Sequence, residues 1–529
     1  MKRFSVLLLT LGLALALTAC GGSASDDAAG NGAAGNGAEV AATAGVSGEI
    51  TVSCYEAMTQ KAFLEEAARL FEEKYPGTKV NVETFSAMPE IRSADTEGGK
   101  MSQIQMTEDP QARTDYVTKV STSLMSGTGA DILAADVLPL YKFADSGQLV
   151  DLNALMAADA DFDRSAYRAN ILNALTYKEG LWYMPLDYSF EYYAYDSSLI
   201  NRKMADFGES SAFTTQQLVE IANSFYDGST KMFNITGYSR VGGGSSLGIT
   251  SGLFARLLKE QYSTLVDIEN REAHFTDGGF AQLLETVKEY EQLGYVNEGV
   301  STQMDPERMM TGRDGPPQPT ERFYFKPKNN FSLQQHFNRN SGRRMNVMIM
   351  DAGSSLGIED DDEIAGAQAD AMGRVPFTFQ YGYAINSASK NQQTAWAFIK
   401  FLLSEEMQLS TGINSLGLPL HNAAREQKAE LSLSGAFMST GMSRPGGQDQ
   451  GQQNPPPEPE PLDEAQRQVL AQYLAATEQL SDLINAYAIH DIVIDDMISA
   501  ESQYFFDGVK SAEEVATTLQ SKVELYLNE

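Results

Sequence analysis

The sequence is short of positive charge: 39 lysines and arginines stand against 71 aspartates and glutamates, a formal net charge of −32. A surface of that sign repels nucleic acid and anionic lipid, so we exclude both as partners. The four histidines are scattered, and no two have the spacing of a zinc site. A Gly-x-Ser-x-Gly motif, typical of hydrolase nucleophiles, is also absent. We therefore expect no metal and no cofactor.

Cysteine is nearly absent too, with Cys20 and Cys54 the only two. Cys20 ends a segment that begins with two positive residues and continues as an apolar run over residues 5–17. That run is shorter than the roughly 20 residues that a spanning helix needs, which is typical of a secretory signal. We expect residues 1–19 to be the signal peptide, and no later run is long enough to span a membrane.

The residues before Cys20, LTA at positions 17–19, complete a motif that resembles a bacterial lipobox. The resemblance implies that Cys20 is diacylated and becomes the mature N-terminus, so that two acyl chains anchor the protein to the extracellular face of the cell membrane. Residues 20–47 are mostly Gly, Ala, Ser, Asn and Asp, which predicts a flexible tether. Because Cys20 is then unavailable for a disulfide, we expect Cys54 to be a small buried hydrophobe.

Strand and helix patterns alternate after the tether. Residues 48–56 and 79–85 have strand patterns and flank an amphipathic helix over 59–74, which predicts a right-handed βαβ unit. Further long helices are predicted over 393–409 and 462–489. This alternation predicts an α/β architecture.

Several stretches resemble the extracellular solute-binding proteins of bacterial ABC importers, the family that includes maltose- and oligosaccharide-binding proteins. They are FEEKYPGTKV at 71–80, GTGADILAAD at 127–136, GYAINSASK at 382–390, AWAFIKFL at 395–402 and LGLPL at 416–420. The resemblance implies a two-lobed, periplasmic-binding-protein-like α/β fold with an interdomain cleft and hinge crossings. It further implies a protein without catalytic activity that captures a solute, with a sugar or oligosaccharide favoured, and delivers it to a membrane permease. A peptide or other polar solute stays open, as does a surface-anchored glycoside hydrolase.

The resemblance also predicts how the chain divides. We expect residues 48–190 and 380–425 to form lobe 1, and residues 191–379 and 462–529 to form lobe 2, in a monomer. The stretches 89–112 and 301–345 depart from the family pattern and are interpreted as insertions at the rim of the cleft. Residues 440–461 are rich in proline and glutamine, which predicts a disordered insertion.

Ligands of α/β proteins usually bind at the carboxyl edges of the sheets. That rule selects residues that follow two predicted strands. The aromatic segment 182–195, where the family crosses between lobes, adds further residues, and the returning segment adds one more. The expected site residues are Tyr55, Glu56, Asp136, Tyr188, Glu191, Tyr193 and Tyr381. We expect Asp136 and Glu191 to hydrogen-bond the solute and Tyr188 to stack on it, because carboxylates and rings suit a neutral polyol. The alternative is that the rings pack the interlobe core.

Replacing Cys20 with Ala should release the protein from the membrane or block its processing, because no other part of the sequence is expected to bind lipid. Immunoblots of the membrane and soluble fractions measure this. A Cys20→Ala protein that stays in the membrane fraction after signal cleavage would contradict the lipoprotein assignment.

Overall fold

Two β-sheets organise the chain in the computed structural model, which also has one small two-stranded hairpin. The structure describes a defined part of the 529 residues. The described residues are 45–55, 59–85, 110–135, 137–200, 211–226, 228, 230–235, 252–277, 279–298, 323–340, 362–410, 417–434 and 461–529. Among them, no helix is long and apolar enough to cross a membrane.

The helices and strands are numbered in chain order. The helices are α1 (Thr59–Lys74), α2 (Pro110–Met125), α3 (Leu140–Asp145), α4 (Leu152–Ala158), α5 (Ala169–Ala174), α6 (Thr215–Asn223), α7 (Gly252–Leu265), α8 (Gly279–Gln292), α9 (Asn330–Asn340), α10 (Gln392–Leu402), α11 (Glu405–Leu409), α12 (Asn422–Ser434), α13 (Glu464–Asp482), α14 (Ile492–Phe506) and α15 (Ala512–Asn528). The strands are β1 (Gly48–Cys54), β2 (Thr78–Thr84), β3 (Ile132–Ala134), β4 (Met184–Pro185), β5 (Asp187–Asp196), β6 (Ala212–Phe213), β7 (Lys231–Ile235), β8 (Val266–Asp267), β9 (Glu272–Ala273), β10 (Val296–Glu298), β11 (Phe323–Asn329), β12 (Asp362–Gln368), β13 (Pro376–Thr378), β14 (Gly382–Ile385), β15 (Leu418–Pro419) and β16 (Ala486–Tyr487).

The first sheet has five strands in the order β2-β1-β3-β14-β4. β1 pairs in parallel with β2 and with β3, whereas β14 runs antiparallel to β3 and β4. Helix α1 connects β1 to β2, which is the predicted βαβ unit. Its apolar face is buried because Phe63, Ala67 and Phe71 recur every four residues. Cys54 is buried, as predicted.

The second sheet is mixed and is built around β5. Its main path runs β10-β7-β11-β5-β12-β6, and β13 and β15 also pair with β5. Ten residues of β5 therefore contact four other strands, and most of its side chains are buried on both faces. Burial on both faces explains why this segment is a nearly continuous aromatic run and not a simple alternation of polar and apolar residues.

Two predicted helices end earlier than expected. The helix predicted over 393–409 breaks after Leu402, because the Ser404 hydroxyl accepts the Met407 N–H and starts α11. The helix predicted over 462–489 ends at Asp482. Beyond it, Ala486 and Tyr487 form β16, which pairs in parallel with β13. A tertiary strand pairing therefore overrides the local helical pattern.

Three chain segments lie side by side where the chain passes between the two sheets, and we call residues 185–188, 378–382 and 417–420 the crossing. The first segment leaves β4 in the first sheet and enters β5 in the second, with only Leu186 between the strands. The second returns from β13 to β14, and the third contains β15, which pairs with β5. Leu186 links them, since its N–H donates to Tyr381 O at 2.8 Å and its carbonyl accepts from Leu420 N at 3.0 Å.

Buried polar side chains complete the crossing. The Asp187 carboxylate accepts the Gln380 N–H at 2.7 Å, and the Gln408 side-chain amide donates to Leu186 O at 2.8 Å. Lys428 is buried beside Gly417 and donates to its carbonyl at 3.2 Å. Burial lowers the pKa of Lys428 to about 8, and the charge of Asp187 opposes that shift. The crossing is thus a hydrogen-bonded unit, while the assignment of every residue to one lobe or the other stays a prediction.

Candidate functional site

The carboxyl edge of the first sheet brings two expected site residues to one place. Tyr55 directly follows β1, and Tyr381 directly precedes β14. Because β14 runs antiparallel to β3 and β3 is parallel to β1, the start of β14 and the end of β1 share an edge. Both rings are buried, and Tyr381 stacks on Phe63 with ring centroids 6.1 Å apart. Contact of either ring with a solute stays a prediction.

Tyr55 belongs to an aromatic group that extends along this edge. Its ring centroid lies 6.4 Å from that of Phe85 and 5.6 Å from that of Tyr116, and the last two are 5.4 Å apart. The buried Arg113 guanidinium lies 6.0 Å from the centre of the Tyr55 ring, where a cation is attracted to the ring face. The sequence analysis missed these neighbours, although Phe85 ends the predicted second strand and the same edge rule would have selected it.

Two expected residues, Glu56 and Asp136, lie outside the described residues. Each directly follows a described segment of the first sheet, since Tyr55 precedes Glu56 and Ala135 precedes Asp136. The expectation that Asp136 hydrogen-bonds the solute therefore stays a prediction.

Tyr188 lies in the interior, next to the crossing. Its ring is fully buried, its hydroxyl is 3.3 Å from the Ser481 hydroxyl of α13, and Arg425 of α12 donates to it at 3.4 Å. These contacts favour the alternative in which this ring packs the core, and stacking of Tyr188 on a solute stays a prediction.

Tyr193 is also buried, on the face of β5 that meets α7. Its hydroxyl donates to Glu260 at 2.8 Å and lies 2.9 Å from the Thr215 hydroxyl. Burial raises the pKa of Glu260, and the nearby Arg256 charge opposes the rise. Burial likewise raises the pKa of Tyr193, so the phenol stays protonated. The hydroxyl of Tyr193 is already engaged by protein groups, which favours a structural part for it.

Glu191 lies on the same face of β5 and is partly accessible, with 18% of its side chain exposed. Lys259 of α7 lies 2.6 Å from one of its carboxylate oxygens, and Arg256 lies 3.4 Å from the other. A solute hydroxyl at Glu191 would therefore share the carboxylate with two cations. Direct contact between Glu191 and a solute stays a prediction.

The sequence analysis missed a second polar group, where α3 meets the C-terminal helices. Tyr141 of α3 donates its hydroxyl to Asp491 at 2.7 Å, and Tyr526 of α15 donates to the same carboxylate at 2.9 Å. Burial raises the pKa of Asp491, while these two hydrogen bonds lower it. Lys142 adds a contact by donating to Tyr526 O at 2.6 Å. No local pattern reveals this group, because Tyr141 and Asp491 are 350 positions apart.

Within the described ranges, no three His, Cys, Asp or Glu side chains lie close enough together to hold a metal ion. The described candidate residues supply aromatic rings, carboxylates and a few cations. Such a combination binds polar molecules through hydrogen bonds and ring stacking.

Comparison with known proteins identifies the fold. No protein-family model matches the chain, and no curated protein matches its sequence. The structure is similar to that of the sugar-binding protein MalE from the phytopathogen Xanthomonas citri, with a TM-score of 0.51 and 12% identity over 91% of this chain and 98% of that one. The chain has the fold of that protein. The predicted two-lobed, periplasmic-binding-protein-like α/β fold is thereby confirmed.

Two other solved structures are similar at lower TM-scores. One is an extracellular solute-binding protein of family 1 from Alicyclobacillus acidocaldarius, with a TM-score of 0.49 and 14% identity over 91% of this chain and 99% of that one. The other is an ABC substrate-binding protein from Listeria monocytogenes in complex with cycloalternan, with a TM-score of 0.47 and 15% identity over 91% and 99% of the two chains.

Replacing Tyr141 with Phe should lower the free energy of unfolding by about 1–3 kcal/mol above neutral pH, because the buried Asp491 carboxylate loses a donor. A carboxyl group whose folded-state pKa is raised stabilises the fold when protonated, and that contribution is lost as pH rises through the folded pKa. The variant raises this pKa further. The deficit should therefore grow with pH and shrink in acid.

Urea unfolding at several pH values measures this deficit. Tyr504, which is exposed on α14, provides the control: Tyr504→Phe should change stability by less than about 0.5 kcal/mol at every pH. A Tyr141→Phe deficit that does not vary with pH would contradict the assigned hydrogen bond to a charged carboxylate.

Proposed function

We propose that this chain is the solute-binding component of an ABC importer, which captures an extracellular sugar or oligosaccharide and delivers it to a membrane permease. The crossing is the observation that supports this function most strongly. Two of its three adjacent segments connect the two sheets, and Leu186 hydrogen-bonds both of the other segments. Two α/β lobes joined in this way can close on a ligand by rotating about a few residues.

The position of the crossing supports the same function. β4 is parallel to β3, so Leu186 leaves the first sheet at the edge where Tyr55 and Tyr381 lie. Ligands of open α/β sheets bind outside the carboxyl ends of the strands. A solute at this edge would touch both lobes, and a ligand that contacts both lobes favours the closed state by its differential affinity.

The chemistry of the described residues favours a neutral polyol. Aromatic rings such as Tyr55 suit the apolar C–H faces of a sugar ring, and carboxylates accept hydrogen bonds from its hydroxyl groups. The net charge of −32 disfavours an anionic solute. The fold shared with the Xanthomonas citri sugar-binding protein agrees with this proposal.

The proposal includes the location of the protein. Cys20 lies outside the described residues, and we propose that it is diacylated after removal of residues 1–19. The mature protein is then a lipid-anchored monomer on the extracellular face of the cell membrane. The tether over residues 20–47 gives the lobes room to reach a permease.

Sugars should stabilise the mature protein, because a ligand that binds only the folded state raises its unfolding free energy, by about 2.7 kcal/mol at a concentration of 100 Kd. Thermal unfolding is measured with maltotriose, cellotriose, raffinose and, as a peptide control, trialanine. At least one of the three sugars should raise the midpoint, and calorimetry on that sugar should give one site per chain.

The same samples test the alternatives. A thermal unfolding midpoint that is raised by trialanine and by no sugar would support the peptide-binding hypothesis over the proposal. Release of smaller sugars during hours of incubation, measured by chromatography, would identify a hydrolase and overturn the importer function.

A further inference from the structure

Asp495, on the first turns of α14, is a buried carboxylate without a hydrogen-bond donor. The residue is 1% exposed, and among the described residues neither carboxylate oxygen accepts a hydrogen bond. His490 Nδ1 lies 3.6 Å from one of these oxygens. That nitrogen also lacks a hydrogen-bond partner, and the imidazole packs against the Tyr262 ring at 4.4 Å between centroids.

The neighbouring carboxylate shows that this arrangement is specific to Asp495. Asp491, four residues earlier, accepts hydrogen bonds from the hydroxyls of Tyr141 and Tyr526 and from the Val493 N–H. The Asp491 carboxylate therefore accepts three hydrogen bonds, whereas the Asp495 carboxylate accepts none. Burying a carboxylate without hydrogen-bond donors destabilises a fold. The burial of Asp495 therefore points to a role other than stabilising the chain.

The predicted division into lobes places Asp495 and His490 beside a contact between the lobes. Asp491, directly before α14, accepts a hydrogen bond from Tyr141 of α3, and α3 follows β3 of the first sheet. Strand β16, which lies just before Asp491 in the chain, pairs with β13 beside the second sheet. A solute held between the lobes would lie along this contact. Asp495 is 1% exposed, so a solute reaches it only after the packing around it opens; it would bind to open lobes and be enclosed as they close.

A hydroxyl group can hydrogen-bond both Asp495 and His490. It can donate to a carboxylate oxygen of Asp495, and it can either accept from or donate to the Nδ1 atom of His490, whichever tautomer is present. Two neighbouring hydroxyls of a sugar ring would supply both oxygens of Asp495. We propose that Asp495 and His490 form a subsite that hydrogen-bonds neighbouring hydroxyl groups of the solute, which rests on the proposed sugar-binding function.

Asp495→Asn separates this subsite from a structural role. The variant keeps the size of the side chain but removes the charge and one acceptor. It should bind the panel sugar that stabilises the wild type (maltotriose, cellotriose or raffinose) at least about tenfold more weakly by calorimetry. Its thermal midpoint without sugar should be equal to or above that of the wild type, because the substitution removes a buried charge that has no hydrogen-bond donor.

Two other variants complete the experiment. Asp507→Asn, the same substitution at an exposed position directly after α14, should keep the affinity within about twofold. His490→Gln should weaken sugar binding severalfold and provides a second measure of the subsite if Asp495→Asn folds poorly.

The outcomes separate this inference from the proposed function. If the wild type binds none of the three sugars, the sugar-binding function fails and the subsite fails with it. If the wild type binds a sugar and the Asp495→Asn and His490→Gln variants bind it equally well, the subsite alone is overturned. A clearly lowered midpoint in Asp495→Asn would make the carboxylate a structural group and would also overturn it.

Discussion

The buried carboxylate of Asp187 is the constraint on which the relation between the two sheets depends. It accepts the Gln380 N–H of the second crossing segment, and Gly417 of the third approaches so closely that a Cβ there would lie 2.8 Å from Oδ1. The Lys428 ammonium is buried close enough for its charge and that of Asp187 to interact. One side chain thus meets all three segments. Because these segments are held together, we propose that the two sheets change orientation about this place.

Much of this fold could be predicted from the sequence, because its signals are local. The apolar spacing of Phe63, Ala67 and Phe71 defines α1, and the flanking strands differ from prediction by one or two residues. Where prediction was wrong, a distant partner decided the structure. Ala486 and Tyr487 follow a helical pattern, yet they pair with Pro376 and Phe377 more than a hundred positions earlier. Local propensity carries no information on such a partner.

The candidate site was less predictable. The edge rule selected Tyr55, which shares one edge of the first sheet with Tyr381, the residue predicted from the returning segment. It could not show that the hydroxyl of Tyr193 is engaged by Glu260 and Thr215, because that depends on how α7 packs against β5. The Asp491 group combines residues from α3 and the C-terminal region, so only the folded chain reveals it. Side chains that meet across lobes are the part of a site that single-sequence reasoning misses.

The central claim is that the lobes close on a sugar by rotating about the crossing. The most direct measurement is the distance, by pulsed electron resonance, between spin labels at Glu65→Cys on α1 and Glu285→Cys on α8. These two exposed positions belong to different lobes in the predicted division. The account predicts that a saturating sugar shifts this distance and narrows its distribution. A distribution that stays unchanged while calorimetry shows the sugar bound would contradict it.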